Sequence, residues 1–265
     1  MGIEKQAEGT AVFVIALSVA LGVFLSLVLV VMGSYQVSEE HVAVVVPQVD
    51  ANKESPPVLT QGEQRRAWFQ AMEKVIQVNN KEADSSNAGY KFDACFLANG
   101  QCAINARAAR EEFEKTTFYF PPSQYTDSEN HVAFYLNLKD GEMPHVVMRF
   151  VYVGKEWMYI ERVLVLADDD FVLEDRLPEV SVRREAVSGN MVVEYGDLVV
   201  SDKLDVLKLI TNAEKLAVRI EGRSGTVNLN EAMLESVKNQ SQEILVMHQM
   251  MTEAIERALL ATPLV

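Results

Sequence analysis

Histidine, cysteine and basic residues are scarce in this chain of 265 residues. Four histidines and two cysteines are present, and 24 lysines and arginines stand against 38 aspartates and glutamates, for a net charge of −14. The basic pairs Arg65-Arg66 and Arg183-Arg184 are isolated. Binding along a phosphate backbone requires clustered basic side chains, so we expect no nucleic acid partner. The acidity also disfavours flat adsorption on anionic lipid.

The sequence also lacks the spacings that mark common catalytic and metal sites. No histidine lies in an H-E-x-x-H pattern. Gly222 to Gly225 is not a nucleophile elbow, because residue 226 is threonine. Asp168 to Asp170 could hold a divalent cation or contribute to an acidic hydrolytic site, but we interpret this triplet as a solvated turn. We therefore predict a protein that is not an enzyme, with no cofactor, no catalytic residue and no metal site.

One long apolar segment, residues 11–32, carries no charged side chain. At 1.5 Å per residue it spans about 33 Å, enough for a hydrocarbon core of about 30 Å. We predict an uncleaved transmembrane anchor that contacts the lipid bilayer, preceded by an N-terminal tail, residues 1–10. A buried core helix of this length would show a polar stripe. A cleaved signal peptide remains an alternative, although its apolar region is usually shorter and follows a basic start.

The basic residues near this segment indicate its orientation. Lys5 precedes it, and the next lysine or arginine is Lys53. The positive-inside rule then predicts a cytoplasmic N-terminus and an extracytoplasmic main domain, in a bacterial inner membrane facing the periplasm. In that compartment we expect Cys95 and Cys102 to form a disulfide, which would stabilise the fold by roughly 2–3 kcal/mol. Their spacing is not that of a redox C-x-x-C pair.

The rest of the chain divides into a proline-containing stalk, 33–62, a soluble domain, 63–229, and a long C-terminal helix, 230–265. We predict an α+β fold. Hydrophobic spacing predicts helices at Gln64 to Lys81 and Ala103 to Lys115. An antiparallel meander of six to eight strands is expected to follow from His131 onward.

The dipeptide Gly154-Lys155 predicts a two-residue turn between adjacent strands. The register of that hairpin would place four aromatic side chains on one face: Phe150, Tyr152, Trp157 and Tyr159. We favour packing of this face in the core, because aromatic cross-strand pairs stabilise sheets. An exposed face that binds a ligand or partner is the alternative.

The C-terminal helix, which we expect to begin after the capping residue Asn230, carries apolar positions with alternating spacings of three and four. This spacing is typical of a coiled-coil seam. Packing of the helix on its own domain is the favoured interpretation, and a seam with a protein partner or a second copy is the alternative. The residues of that seam are Val237, Ile244, His248, Met251 and Ile255.

These features together predict a single-pass, membrane-anchored binding or assembly component without enzymatic activity. Its acidic α+β domain would lie outside the cytoplasm, where it would meet a protein partner or form a homo-oligomer. The alternative function is a membrane-tethered small-molecule sensor or solute-binding module, which could also face the cytoplasm.

Overall fold

Helix α1, Gln61–Val75, begins at a capping box. The Thr60 hydroxyl accepts a hydrogen bond from the Glu63 backbone N–H, and the Glu63 carboxylate accepts one from the Thr60 backbone N–H. In the computed structural model, the described residues are 59–84, 89–124, 129–187 and 189–261. They belong to one unit, Pro56–Val265.

The predicted N-terminal tail, the predicted anchor at 11–32 and the stalk as far as residue 58 lie outside the described residues. The C-terminal end of the predicted stalk is helical, because α1 begins at Gln61. Among the helices that the structure describes, none combines the length and the apolar character needed to cross a bilayer.

The described residues form twelve strands in two antiparallel sheets. The larger sheet has the order β1-β2-β3-β4-β5-β6-β10-β9, and the smaller has the order β12-β11-β7-β8. A short 3-10 turn, Glu179–Ser181, precedes β9. The strands are β1 Ile76–Asp84, β2 Gly89–Ala98, β3 Gln101–Glu111, β4 Thr116–Phe120, β5 His131–Lys139, β6 His145–Gly154, β7 Ile160–Ala167, β8 Asp170–Arg176, β9 Val182–Val187, β10 Met191–Val199, β11 Leu216–Gly222 and β12 Gly225–Asn228.

Helices α2, Leu204–Asn212, and α3, Glu231–Ala261, complete the fold. Asn230 caps α3 as predicted, since its side-chain oxygen accepts a hydrogen bond from the Met233 backbone N–H at 3.0 Å.

Helix α3 contacts α1, α2 and β5. Its buried side chains share one core with one face of the larger sheet, which we call the inner face. That face contributes Phe92, Phe96, Phe134, Leu136, Met148 and Phe150.

The opposite face of the larger sheet, the outer face, has its own buried side chains. Ala133, Tyr135, Val147, Val151 and Val193 are buried, yet they lie outside the cluster that joins the helices to the inner face. Side chains alternate between the two faces of a strand, so each strand of this sheet supplies both surfaces.

A glutamine side chain on α3 completes the hydrogen bonding of β5. Strand β4 pairs with β5 only from Leu136 to Lys139. Beyond that point, the buried Gln240 accepts a hydrogen bond from the Phe134 N–H at 3.0 Å and donates one to the Val132 carbonyl at 3.3 Å. The amide therefore occupies the place of the missing neighbouring strand, and the backbone groups of β5 stay satisfied.

A buried carboxylate supports the crossing from the larger to the smaller sheet. Glu194 on β10 is fully buried. It accepts hydrogen bonds from the backbone N–H groups of Met158, Tyr159 and Ile160 at 2.5, 2.8 and 3.0 Å, and from Arg184 Nε at 3.2 Å. Four donors around one carboxylate fix the segment that leads into β7.

The structure confirms the α+β class, the mainly antiparallel sheet and the C-terminal helix. Eight strands lie from His131 onward, within the predicted number, but they are no simple meander, because β10 pairs with β6 and β9. The first helix was predicted too long: it ends at Val75, and β1 begins at Ile76.

Two local predictions are wrong. The predicted helix at Ala103 to Lys115 is strand β3, in which Ala106 and Ala108 face the core and Arg107 faces solvent. The helix propensity of alanine and arginine is outweighed here, because a strand lets Ala106 and Ala108 pack in the core that the sheet shares with the helices. The predicted hairpin across Gly154-Lys155 does not form, because β6 pairs with β5 and β10 while β7 belongs to the other sheet.

Candidate binding groove

Four neighbouring strands place one side chain each in a row across the outer face. Asn79 on β1 is paired with Asp93 on β2, Asp93 with Arg107 on β3, and Arg107 with Phe120 on β4. Directly paired residues project to the same side of a sheet, and neighbouring strands lie about 4.8 Å apart. The row therefore presents an amide, a carboxylate, a guanidinium and a phenyl ring over about 14 Å.

A β-bulge in β1 adds a second amide to this row. The register of β1 against β2 shifts between Asn79 and Glu82. Asn80 lies in the shift with φ +48°, a left-handed conformation that asparagine tolerates better than most residues. Its side-chain amide donates a hydrogen bond to Asp93 Oδ2 at 2.7 Å. The bulge thus brings two consecutive asparagines to the same surface.

Two adjoining cavities lie over this row. Their volumes are about 660 and 650 Å³, and both are lined by Asn80, Asp93, Arg107 and Gln124. Because they share these walls, we describe them together as the groove. Pro121 and Pro122 close one side of it. Each volume lies in the range of small-molecule sites, roughly 300–1,000 Å³.

Aromatic rings border the groove on the side of β4 and β5. The ring centroids of Phe118 and Tyr135 lie 5.9 Å apart, and those of Phe120 and Tyr135 lie 5.8 Å apart. Arg149 lies 5.0 Å from the Tyr135 ring and hydrogen bonds to both oxygens of Asp197 at 2.6 and 2.7 Å. Burial, together with the charge of Asp197, raises the pKa of Tyr135 to about 12. Tyr135 therefore stays neutral at physiological pH.

The polar lining of the groove offers both hydrogen-bond donors and acceptors. Asn79, Asp93, Asn105 and Arg107 are exposed to solvent. The Arg107 guanidinium has no ion pair within the part of the chain that the structure describes, so its five donors are available to a ligand. One carboxylate, Asp93, and one guanidinium, Arg107, lie in the wall that the two cavities share, and Lys81, Glu82 and Lys91 also line the second cavity. The arrangement is suited to hydrogen bonding of a polar molecule.

The predicted disulfide is present, and it lies at the tip of the β2–β3 hairpin beside the groove. The two sulfur atoms of Cys95 and Cys102 lie 2.06 Å apart. Between these strands, Asn99 and Gly100 form a two-residue turn with φ +52° and +75°, the conformation that an Asn-Gly hairpin requires. Cys95 is buried on the outer face and Cys102 is exposed. The disulfide joins the two strands that carry Asp93 and Arg107.

The four aromatic residues predicted to share one face are separated in the structure. Phe150 is fully buried on the inner face. Tyr152 donates a hydrogen bond to the Glu156 carbonyl at 3.1 Å. Trp157 is half-buried, and the Tyr159 ring, 40% exposed, lies 5.3 Å from the Arg184 guanidinium. These residues form no common cross-strand surface, because the hairpin that would align them is absent.

The residues of the predicted seam on α3 lie inside the protein. Val237, Ile244, Met251 and Ile255 are buried in the core that α3 shares with the inner face. His248 is half-buried, and burial lowers its pKa although its hydrogen bond to the Pro144 carbonyl acts in the opposite direction. This face of the helix packs against its own domain in the described structure.

The acidic triplet forms the turn between β7 and β8. Asp168 Oδ1 accepts a hydrogen bond from the Lys215 backbone N–H at 2.9 Å, and Asp169 lies 3.8 Å from Lys215 Nζ. Within residues 59–84, 89–124, 129–187 and 189–261, no group of three or more histidine, cysteine, aspartate or glutamate side chains is arranged to hold a metal ion.

Sequence reasoning missed the groove because its central strand was interpreted as a helix. With β3 assigned as a strand, Asn105, Arg107 and Ala109 alternate with Ala106 and Ala108, which is the period-two pattern of a half-buried strand. That alternation was the available signal. The pairing of β3 with β2 and β4, which forms the row, follows only from the tertiary structure.

No protein-family model, curated protein or solved structure matches this chain.

Proposed function

We propose that this protein is a single-pass, membrane-anchored binding component whose acidic α+β domain lies outside the cytoplasm and uses the outer face of its larger sheet for recognition. It is not an enzyme in this proposal. Its membrane contact is residues 11–32, and its domain meets a partner or ligand of the envelope. The groove is the observation that carries the binding role, since exposed amide, carboxylate and guanidinium side chains and the half-buried ring of Phe120 line it.

The disulfide supports the location outside the cytoplasm. Disulfides form and persist in oxidising compartments and are rare in the cytosol. The Cys95–Cys102 disulfide closes a short hairpin that already has a favourable Asn-Gly turn. A domain in a bacterial periplasm, anchored by the apolar segment, fits this disulfide. It also fits the positive-inside rule, since Lys5 precedes the segment and the next basic residue after it is Lys53.

A labelling experiment in intact cells tests the location. In a Cys95→Ser/Cys102→Ser background, Gln101→Cys at the exposed hairpin tip is expected to react with a membrane-impermeant maleimide. Glu4→Cys near the N-terminus, in the same background, is expected to react only after the membrane is permeabilised. The reverse pattern would place the domain in the cytoplasm and would contradict the proposal.

Isolation of the protein from native membranes tests the role as a binding or assembly component. After mild chemical cross-linking, we expect a defined adduct with a second protein or a second copy. Recovery of a lone monomer under conditions that cross-link a known membrane complex would argue against an assembly role.

A membrane-tethered sensor or solute-binding module is the second candidate function. The volumes of the two cavities of the groove favour it, since about 660 and about 650 Å³ each suit a small molecule. A ligand that binds the folded state raises the melting temperature. A metabolite library that produces no shift in the full chain would remove this candidate.

A further inference from the structure

The groove has the chemistry of a carbohydrate site. Its row of Asn79, Asp93, Arg107 and Phe120 places planar polar groups next to an aromatic ring on one surface. Adjacent hydroxyl groups of a sugar match the two oxygens of a carboxylate or the paired N–H groups of a guanidinium. The apolar face of a pyranose ring packs on an aromatic side chain.

The charge of the groove favours a neutral ligand. Asp93 and Arg107 offset each other in the wall that the two cavities share, whereas Lys81, Glu82 and Lys91 line the second cavity alone. The protein carries a net charge of −14, which repels anionic ligands over long range. In the wall that the two cavities share, the one cation, Arg107, is paired across the strands with the anion Asp93, which disfavours tight binding of a phosphate group there.

The length of the groove favours a chain of sugars over a single one. The row crosses four strands that lie about 4.8 Å apart, a repeat close to the length of one unit in a β-linked hexopyranose chain. Asn80 and Asn105 extend the amide lining along the strands beside the row. Each sugar unit would thus meet at least one planar polar side chain.

We infer that the groove binds a neutral oligosaccharide of the cell envelope. The inference rests on the proposed function for access to such a glycan and names the ligand class of that same site. The hydroxyl and acetamido groups of the chain would hydrogen bond to Asn79, Asp93 and Arg107. One sugar ring would pack on Phe120.

Binding of defined oligosaccharides to the full chain tests the inference. The protein is placed in lipid nanodiscs, because sugar-based detergents would compete for the site. Chitotetraose and cellotetraose are titrated by calorimetry, with inorganic phosphate and a neutral tetrapeptide as comparison ligands. We expect saturable binding of at least one oligosaccharide and none of phosphate or peptide. Preference for phosphate or peptide, or no saturable binding of either sugar chain, would overturn the inference.

A matched pair of variants tests the position of the site. Arg107→Met is expected to weaken oligosaccharide binding at least tenfold. Arg183→Met makes the same change at an exposed position of the outer face on β9, far along the sheet from β3, and is expected to leave affinity unchanged. Equal effects of the two variants, or none from Arg107→Met, would place the ligand elsewhere.

Melting curves of both variants show whether either substitution destabilises the domain. An exposed arginine without an ion pair should contribute little to stability, so we expect unchanged melting temperatures. Failure of sugar binding, with labelling that still places the domain outside the cytoplasm, would overturn the ligand class alone. Labelling that places the domain in the cytoplasm would overturn the proposed function, whatever the titration of the purified protein shows.

Discussion

The two faces of the larger sheet are made by the same strands, yet they have different compositions. The inner face is almost wholly apolar and shares its core with α1, α2 and α3. The outer face mixes buried aliphatic side chains with exposed amides and charged groups, and its rings, Phe118, Phe120 and Tyr135, are half-buried or buried. Two polar groups in the shared core, Glu194 on the inner face and Gln240 on α3, are fully buried and hydrogen bonded. The inner face thus serves stability, while the outer face leaves its polar groups available for recognition.

The buried carboxylate of the inner face offers the sharpest test of this division. Glu194→Gln is expected to lower the free energy of unfolding by about 3–5 kcal/mol, because an amide NH₂ would face backbone donors and Arg184 would lose its anion. Glu185→Gln on exposed β9 should change it by less than about 0.5 kcal/mol. Urea denaturation measures the free energy of unfolding of both variants. Equal losses would show that the buried, hydrogen-bonded position of Glu194 does not give it a larger share of the stability.

Adjacent valines on β6 compare the two faces with one substitution. Val146 faces the helices and Val147 the outer surface, and both are buried. Val146→Ala should cost about 2 kcal/mol, from two lost methyl groups and the cavity they leave. Val147→Ala should cost about 1 kcal/mol or less, because its neighbours belong to one sheet surface and can relax. A reversed order in urea denaturation would show that the outer face is packed as tightly as the core.

The Gln240 amide of α3 tests whether a polar group packed against the inner face is required for stability. Gln240→Leu is expected to cost about 1–3 kcal/mol, since it leaves the Phe134 N–H without an acceptor. Gln242→Leu on the exposed side of α3 is the control and should be close to neutral. Faster hydrogen exchange at the Phe134 amide in the first variant alone would identify the cause. Unchanged exchange would mean that another group satisfies this donor.

The smallest expected effect is a pH dependence carried by His248. Burial lowers the pKa of this histidine in the folded state, so the unfolded chain binds the proton more readily. Its contribution to stability is present above the unfolded pKa of about 6.5 and is lost as the pH falls below it. His248→Gln should flatten the decline of stability between pH 7 and pH 5. An unchanged slope would assign the decline to carboxylates alone.

The sequence predicted the parts of the fold that local patterns determine. The capping of α3 by Asn230, the position of β5 and β6, and the disulfide all follow from short-range signals. The outer-face row could not be predicted in this way, because Arg107 lies in a segment whose alanines favour a helix, whereas tertiary packing selects a strand. The prediction of a shared aromatic face that includes Phe150 was wrong for a related reason.

For that aromatic set, the turn at Gly154-Lys155 has suitable residues for a hairpin, but a distant carboxylate, Glu194, holds the next segment in another direction. Strand order in a sheet with non-consecutive neighbours depends on such long-range contacts. The groove could be predicted only once β3 had been placed between β2 and β4.

The Gln240 amide also limits how many native states the protein can have. A helix held on a sheet only by apolar contacts can shift along its axis and exchange one set of similar contacts for another. A displacement of α3 by one turn, about 5.4 Å, would leave the Phe134 N–H and the Val132 carbonyl without partners. One buried side chain thereby selects a single axial position for α3, the longest helix that the structure describes, and gives its contact with the inner face one packing arrangement in place of several.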